Sequence, residues 1–88
     1  MLEKKFVIQN ETGLHARAAS MLVKAAGKFK ADCIIVKQTN EYDCKSIMSV
    51  MSIIAKQGEE FELKVSGSDE KQAFQTLSSL IEKDFSNM

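Results

Sequence analysis

The residues best suited to chemistry in this chain form one run, Thr12-Gly13-Leu14-His15-Ala16-Arg17. His15 is the single histidine of the sequence. An imidazole with an unperturbed pKa of about 6.5 keeps a large neutral fraction near neutrality, and the neutral ring is a usable nucleophile. Thr12 and Gly13 carry turn chemistry and Ala16 opens a helical pattern. His15 therefore falls at the positive end of a helix dipole, which favours an anion beside it. Backbone N–H groups of Ala16 and Arg17 suit phosphoryl oxygens at such an end. Thr12 can act as a local cap, and Arg17 adds a planar fork of donors. The chemistry predicted is capture of a phosphoryl group on His15. A lone histidine near a helix start is more often a solvated cap, and a lone arginine a solvated charge, so the reading needs a second signal.

That signal is Lys45-Ser46-Ile47-Met48, followed by Val50-Met51-Ser52. Ser46 is placed to cap a short helix ending near Ala55, because its hydroxyl can accept a hydrogen bond from a first-turn N–H. Ile47, Val50, Met51 and Ile54 form one stripe of this helix, with Met48 and Ile53 off it. A short helix needs one apolar face for the core, so Met48 should stand partly exposed, where an adaptable thioether suits partner docking.

The elements that must position these residues follow from periodicity. Lys4 to Gln9 reads as a strand, closed by Asn10 to Gly13. Ala16 to about Phe29 reads as a helix, with Arg17, Ser20, Lys24 and Lys28 as its polar stripe and Ala19, Leu22, Val23 and Ala26 facing inward. Asp32 to Val36 is a β-branched run, and Gln38-Thr39-Asn40 a turn into a short strand over Glu41 to Asp43. Lys56 to Glu59 is a turn. Phe61, Leu63 and Val65 then alternate with Glu60, Glu62 and Lys64, which describes a strand wet on one face. Asp69 and Gln72 have the spacing of a capping box. They open a last helix that carries Phe74, Leu77 and Ile81 inward and Thr76, Ser78, Ser79, Glu82 and Lys83 outward. The order is βαββαβα: an α+β open-faced sandwich, its antiparallel sheet covered by helices on one side.

Composition sets the class. Residues 1–88 make one domain, and twelve basic against twelve acidic residues cancel to zero formal charge. That balance argues against direct nucleic-acid binding and against electrostatic attachment to anionic membranes. No apolar run reaches the length of a membrane span, and the first residues lack a signal-peptide core. Cys33 and Cys44 lack metal-ligand spacing, and one histidine completes no zinc set. They read as reduced thiols of a cytoplasmic protein, Cys33 in a strand and Cys44 near a loop. No metal and no cofactor is expected. No P-loop, paired acid–base set or metal cluster marks an independent enzyme.

The two motifs together, Gly13-Leu14-His15-Ala16-Arg17 and Lys45-Ser46-Ile47-Met48 with Val50-Met51-Ser52, resemble the HPr family, the histidine-containing phosphocarriers of the bacterial phosphoenolpyruvate-dependent sugar phosphotransferase system. The likeness runs over essentially the whole chain. It implies a four-stranded antiparallel sheet with three helices on one face. It implies that His15 attacks through Nδ1, accepting a phosphoryl group from enzyme I and yielding it to the enzyme IIA domains of sugar permeases. It also implies a regulatory phosphorylation of Ser46 by an ATP-dependent HPr kinase/phosphorylase, with a catabolite control protein as partner of that form. Ile47, Met48 and Met51 would be the apolar docking patch and Ser20, Lys24 and Arg17 its polar rim. The chain departs from the family pattern at Ala18, where proline is usual, and at Ser49, where glycine is common in the Gram-positive pattern. A monomer is expected, since the docking face must stay free. The competing expectations are a family paralogue in a regulatory or nitrogen-linked relay, and a small-molecule-binding regulatory domain in which His15 is a ligand contact or a cap.

Overall fold

The computed structural model describes residues 1–8, 16–53 and 57–83. Its elements are β1 (Leu2–Val7), α1 (Ala16–Ala26), β2 (Asp32–Lys37), β3 (Asn40–Asp43), α2 (Ile47–Met51), β4 (Glu60–Ser66) and α3 (Glu70–Glu82). The strands form one sheet in the order β1-β4-β2-β3, and every neighbouring pair is antiparallel. Three helices cover one face, as the pattern predicts.

Alternation along the strands decides which face is covered. In β2 the buried set is Cys33, Ile35 and Lys37; in β4 it is Phe61, Leu63 and Val65. Register places Cys33 opposite Val65 and Ile35 opposite Leu63, so these side chains meet in rows. Phe6 of β1 stands opposite Phe61, their rings stacked with centroids 5.7 Å apart. From the helices, Leu22, Val50 and Leu77 are fully buried against this sheet. Each such side chain contributes roughly 1.5–3 kcal/mol by leaving water. Lys37, in phase with Cys33 and Ile35, is the one charged side chain among the buried described residues, and it pairs with Glu59 at 3.5 Å.

Two backbone features close the sheet. Gln38 takes φ +58° in the two-residue turn between Lys37 and Asn40, which are themselves paired. A positive φ matches the strand twist of a tight hairpin. At Gly67, φ is +148° and an added Cβ would lie 2.7 Å from Ala31 Cα, so only glycine lets β4 end this close to β2.

Several boundaries differ from the sequence reading. β1 starts at Leu2 rather than Lys4. α1 stops at Ala26 rather than Phe29, because Lys28 and Phe29 donate to carbonyls three residues back, Ala25 and Ala26, which tightens the turn and ends the helix. α2 stops at Met51 rather than Ala55. Ser52 caps it, its N–H shared between the carbonyls of Met48 and Ser49 and its hydroxyl donating to Ser49 O at 2.6 Å, while Ile53 N–H donates to Val50 O. This early stop turns Ile53 into the core, though the helical stripe left it out; Ile54 lies outside the described residues.

The Asp69–Gln72 capping box does not form. Asp69 makes no side-chain cap. Its carboxylate instead accepts the N–H groups of Lys30 at 2.9 Å and Ala31 at 2.8 Å, pinning the α1–β2 connection to the start of α3. The reach-back is made by Glu70, whose carboxylate accepts Gly67 N–H at 3.1 Å and pairs with the Met1 ammonium at 3.3 Å. Ser78, expected on the outer face of α3, is buried and its hydroxyl finds no partner.

Candidate functional site

Thr12 and His15 lie outside the described residues, as do Gly13 and Leu14. The description resumes at Ala16, the first residue of α1. The helix thus begins directly after His15 in the chain. The N–H groups of Ala16 and Arg17 belong to the first turn, where no intrahelical acceptor exists. No carboxylate stands in that turn. Arg17, Ser20 and Lys24 are all exposed, one helical turn after another, and form a polar strip down α1. Ala18, at the family's proline position, points the other way and is fully buried.

α2 packs beside α1. Its lead-in is fixed by Lys45, whose ammonium donates to Phe29 O at 2.8 Å and whose N–H donates to the Asp43 carboxylate at 2.9 Å. Ser46 is the N-cap, as predicted: its hydroxyl accepts Ser49 N–H at 3.3 Å, and its φ and ψ of −113° and 116° are extended. Only Val50 within α2 is buried. Ile47, Met48 and Met51, three of the predicted docking residues, are 39%, 78% and 53% exposed. From residue 16 to residue 31 the chain holds Arg17, Lys24, Lys28 and Lys30 and no carboxylate, and Lys45 is the only charge from residue 44 to residue 53. The zero net charge therefore conceals two stretches of chain, residues 16–31 and 44–53, that carry cations and no carboxylate and include α1 and α2.

Two contacts escaped the sequence reading. Ser49, at the family's glycine position, accepts Asp43 N–H on its hydroxyl at 2.9 Å. It thereby ties α2 to the end of β3 and covers a donor on the free edge of the sheet. Its spacing of six from Asp43 carries no periodic signal. Lys37 was legible as inward-facing from its phase in β2, but its partner Glu59 comes from a distant turn.

Among the described residues, the pKa values of Cys33, Cys44, Asp69 and Glu70 are shifted by burial or by contacts that hold the fold. Burial pushes the thiols of Cys33 and Cys44 up from the ordinary cysteine range, Cys44 the further; both are free and buried, Cys44 as well as the strand residue Cys33. The N–H of Lys30, with that of Ala31, holds the Asp69 carboxyl below its ordinary range. Gly67 N–H, with the N-terminal ammonium, does the same for Glu70. Among the described residues no helix is long and apolar enough to cross a membrane.

Comparison with known proteins matches this architecture to one family. Residues 2–83 match the family model described as the phosphorylation-site component HPr of the phosphotransferase system. The phosphocarrier protein HPr of Xylella fastidiosa (strain 9a5c) is 40% identical over 85 residues, covering 97% of this chain and 96% of that protein. The crystal structure of HPr from Thermoanaerobacter tengcongensis superposes with a TM-score of 0.91 at 39% identity, over 100% of this chain and 99% of that one. The chain belongs to the HPr family. A further neighbour, the catabolite repression protein Crh of Bacillus subtilis, has a TM-score of 0.76 at 31% identity over 99% of this chain and 100% of its own, and is described as a domain-swapped, intertwined dimer.

Proposed function

We propose that this chain is a phosphoryl carrier between enzyme I and the enzyme IIA domains of sugar permeases, with His15 as the acceptor. Family membership over residues 2–83, with His15 directly preceding α1, is the observation that supports this most. The unprotonated ring nitrogen forms a bond to phosphorus as the bond to the donor breaks. The first-turn N–H groups of Ala16 and Arg17 then face the phosphoryl oxygens, and Thr12 caps the turn beside them. Arg17 acts mainly during transfer, when the partner excludes water and neutralising charge is worth most. Too strong a hold on the resting phosphohistidine would stop its onward transfer.

Ile47, Met48 and Met51 meet the partner, with Arg17, Ser20 and Lys24 at the rim. Cations on this rim steer the face toward acidic partner surfaces. The single domain of residues 1–88 acts as a cytoplasmic monomer, leaving this face free for each partner in turn.

Ser46 is the regulatory site. A phosphate there adds about −1.5 to −2 charges at a helix end whose dipole tolerates them. The fold survives while the charge beside the docking patch reverses, which weakens enzyme I and provides a contact for a catabolite control protein. An HPr kinase/phosphorylase would supply and remove the phosphate.

The test is incubation with enzyme I and labelled phosphoenolpyruvate, followed by addition of an enzyme IIA domain. The expected result is acid-labile label on this chain that then moves to enzyme IIA, with none on a His15→Ala variant. Undiminished acid-labile label on that variant would refute the assignment.

A further inference from the structure

Two of the chain's five methionines, Met48 and Met51, stand three residues apart on the outward surface of α2, which puts them on one helix face. They are 78% and 53% exposed, and with Ile47 they supply the exposed apolar surface of that helix. The others are placed differently. Met21 is partly buried against the core; Met1 is 72% exposed but lies at the start of α3, where its ammonium pairs with Glu70; Met88 lies outside the described residues. Two of the three exposed thioethers among the described residues thus stand together on α2, where a partner must make apolar contact.

We propose that Met48 and Met51 form a sulfoxidation site within the docking face, at which hydrogen peroxide reversibly weakens partner binding. The proposal rests on the carrier function above. In the forward step the thioether sulfur attacks one peroxide oxygen, the O–O bond breaks, sulfur gains that oxygen and is oxidised by two electrons, and the other oxygen leaves as water. A dithiol-dependent sulfoxide reductase reverses it: two thiols become a disulfide and the sulfoxide oxygen leaves as water.

The modified side chain is polar, chiral and a hydrogen-bond acceptor, so it must be desolvated before it can enter an apolar contact. α2 itself is anchored from below by Val50 and Ile53, both buried, so oxidation above them leaves the fold in place. The cysteines do not compete effectively for peroxide. Both are buried, and a thiol held far from its thiolate reacts slowly.

The experiment treats the full chain with hydrogen peroxide, locates the added oxygens by peptide mass spectrometry, and measures phosphoryl acceptance from enzyme I before and after. Oxygen is expected on Met48, Met51 and the exposed Met1, with KM for the chain raised about tenfold once Met48 and Met51 carry it, an unchanged melting temperature, and recovery after reductase treatment. A Met48→Leu/Met51→Leu variant keeps the cysteines, Met21 and the exposed Met1. Its treated-to-untreated ratio of KM is expected to stay near one, whatever its untreated value. The proposal is overturned if doubly oxidised parent keeps the untreated KM, or if the double leucine variant loses acceptance on treatment as the parent does. If untreated parent accepts no phosphoryl group from enzyme I, the carrier function fails and this proposal falls with it. Full acceptance before and after oxidation removes this proposal alone.

Discussion

Helices α2 and α3 both carry apolar side chains and use them oppositely. α3 buries Ala73, Leu77, Ser78, Leu80 and Ile81 and turns a largely polar surface to water. α2 buries only Val50 and leaves Ile47, Met48 and Met51 outside. An isolated five-residue helix does not form in water. α2 persists because Ser46 caps its start, Ser52 its end, and Lys45 and Ser49 tie it to the end of α1 and to β3. Polar contacts at its ends add to the anchorage by Val50 and Ile53, which leaves Ile47, Met48 and Met51 free for something other than the core. A helix stabilised from its ends can spend its greasy face on a partner; one stabilised through its face cannot.

Substitutions that cross this division break or sharpen it. Leu77→Ala in α3 removes a fully buried side chain and is expected to cost about 2–5 kcal/mol, measured by urea unfolding. Its transfer kinetics should be unchanged at temperatures where it stays folded. Met48→Asp in α2 is expected to do the reverse. Its unfolding free energy should stay within about 0.5 kcal/mol of the parent, while acceptance from enzyme I slows by about tenfold or more because a charge is desolvated on docking. Ser46→Asp should also slow acceptance with the fold intact; acceptance at the parental rate would exclude the serine switch.

Smaller effects concern the α3 side. Ser78→Ala removes a buried hydroxyl with no partner and is expected to stabilise by about 1 kcal/mol, read from the shift in urea midpoint. Asp69 titrates below its ordinary range when folded, so its stabilisation is present above the unfolded-state pKa and is lost as pH falls through the lower folded value. An Asp69→Asn variant should therefore melt lower than the parent near pH 7, and the gap should close as pH drops below about 4. A gap that widens in acid would contradict the assigned role.

How much of this was legible in the sequence depends on how local the cause is. The strands over Ile34 and Leu63, the Ser46 cap, the inward phase of Leu77 and the exposure of Met48 follow from spacing within one element. The errors arose where a side chain answers to a distant partner. Asp69 has the spacing of a cap, but two N–H groups from the α1–β2 connection take its carboxylate. Ile53 is off the helical stripe, yet the helix ends before it and the chain turns it inward. Ser78 sits at the margin of the polar face of α3, and tertiary packing covers it. For the candidate site, Arg17, Ser20, Lys24, Ile47, Met48 and Met51, all named from sequence, are exposed on α1 and α2. Thr12 and His15 rest on motif and family alone.

The division of surfaces is tested most directly by following backbone amide resonances of the labelled chain as enzyme I is added. The account predicts that shifts and broadening concentrate in the first turns of α1, from Ala16 to Lys24, and in α2, from Ser46 to Ser52, while the outer face of α3 and the open face of β4 stay unchanged. Perturbation centred on α3 or the open sheet face, with α2 silent, would contradict it.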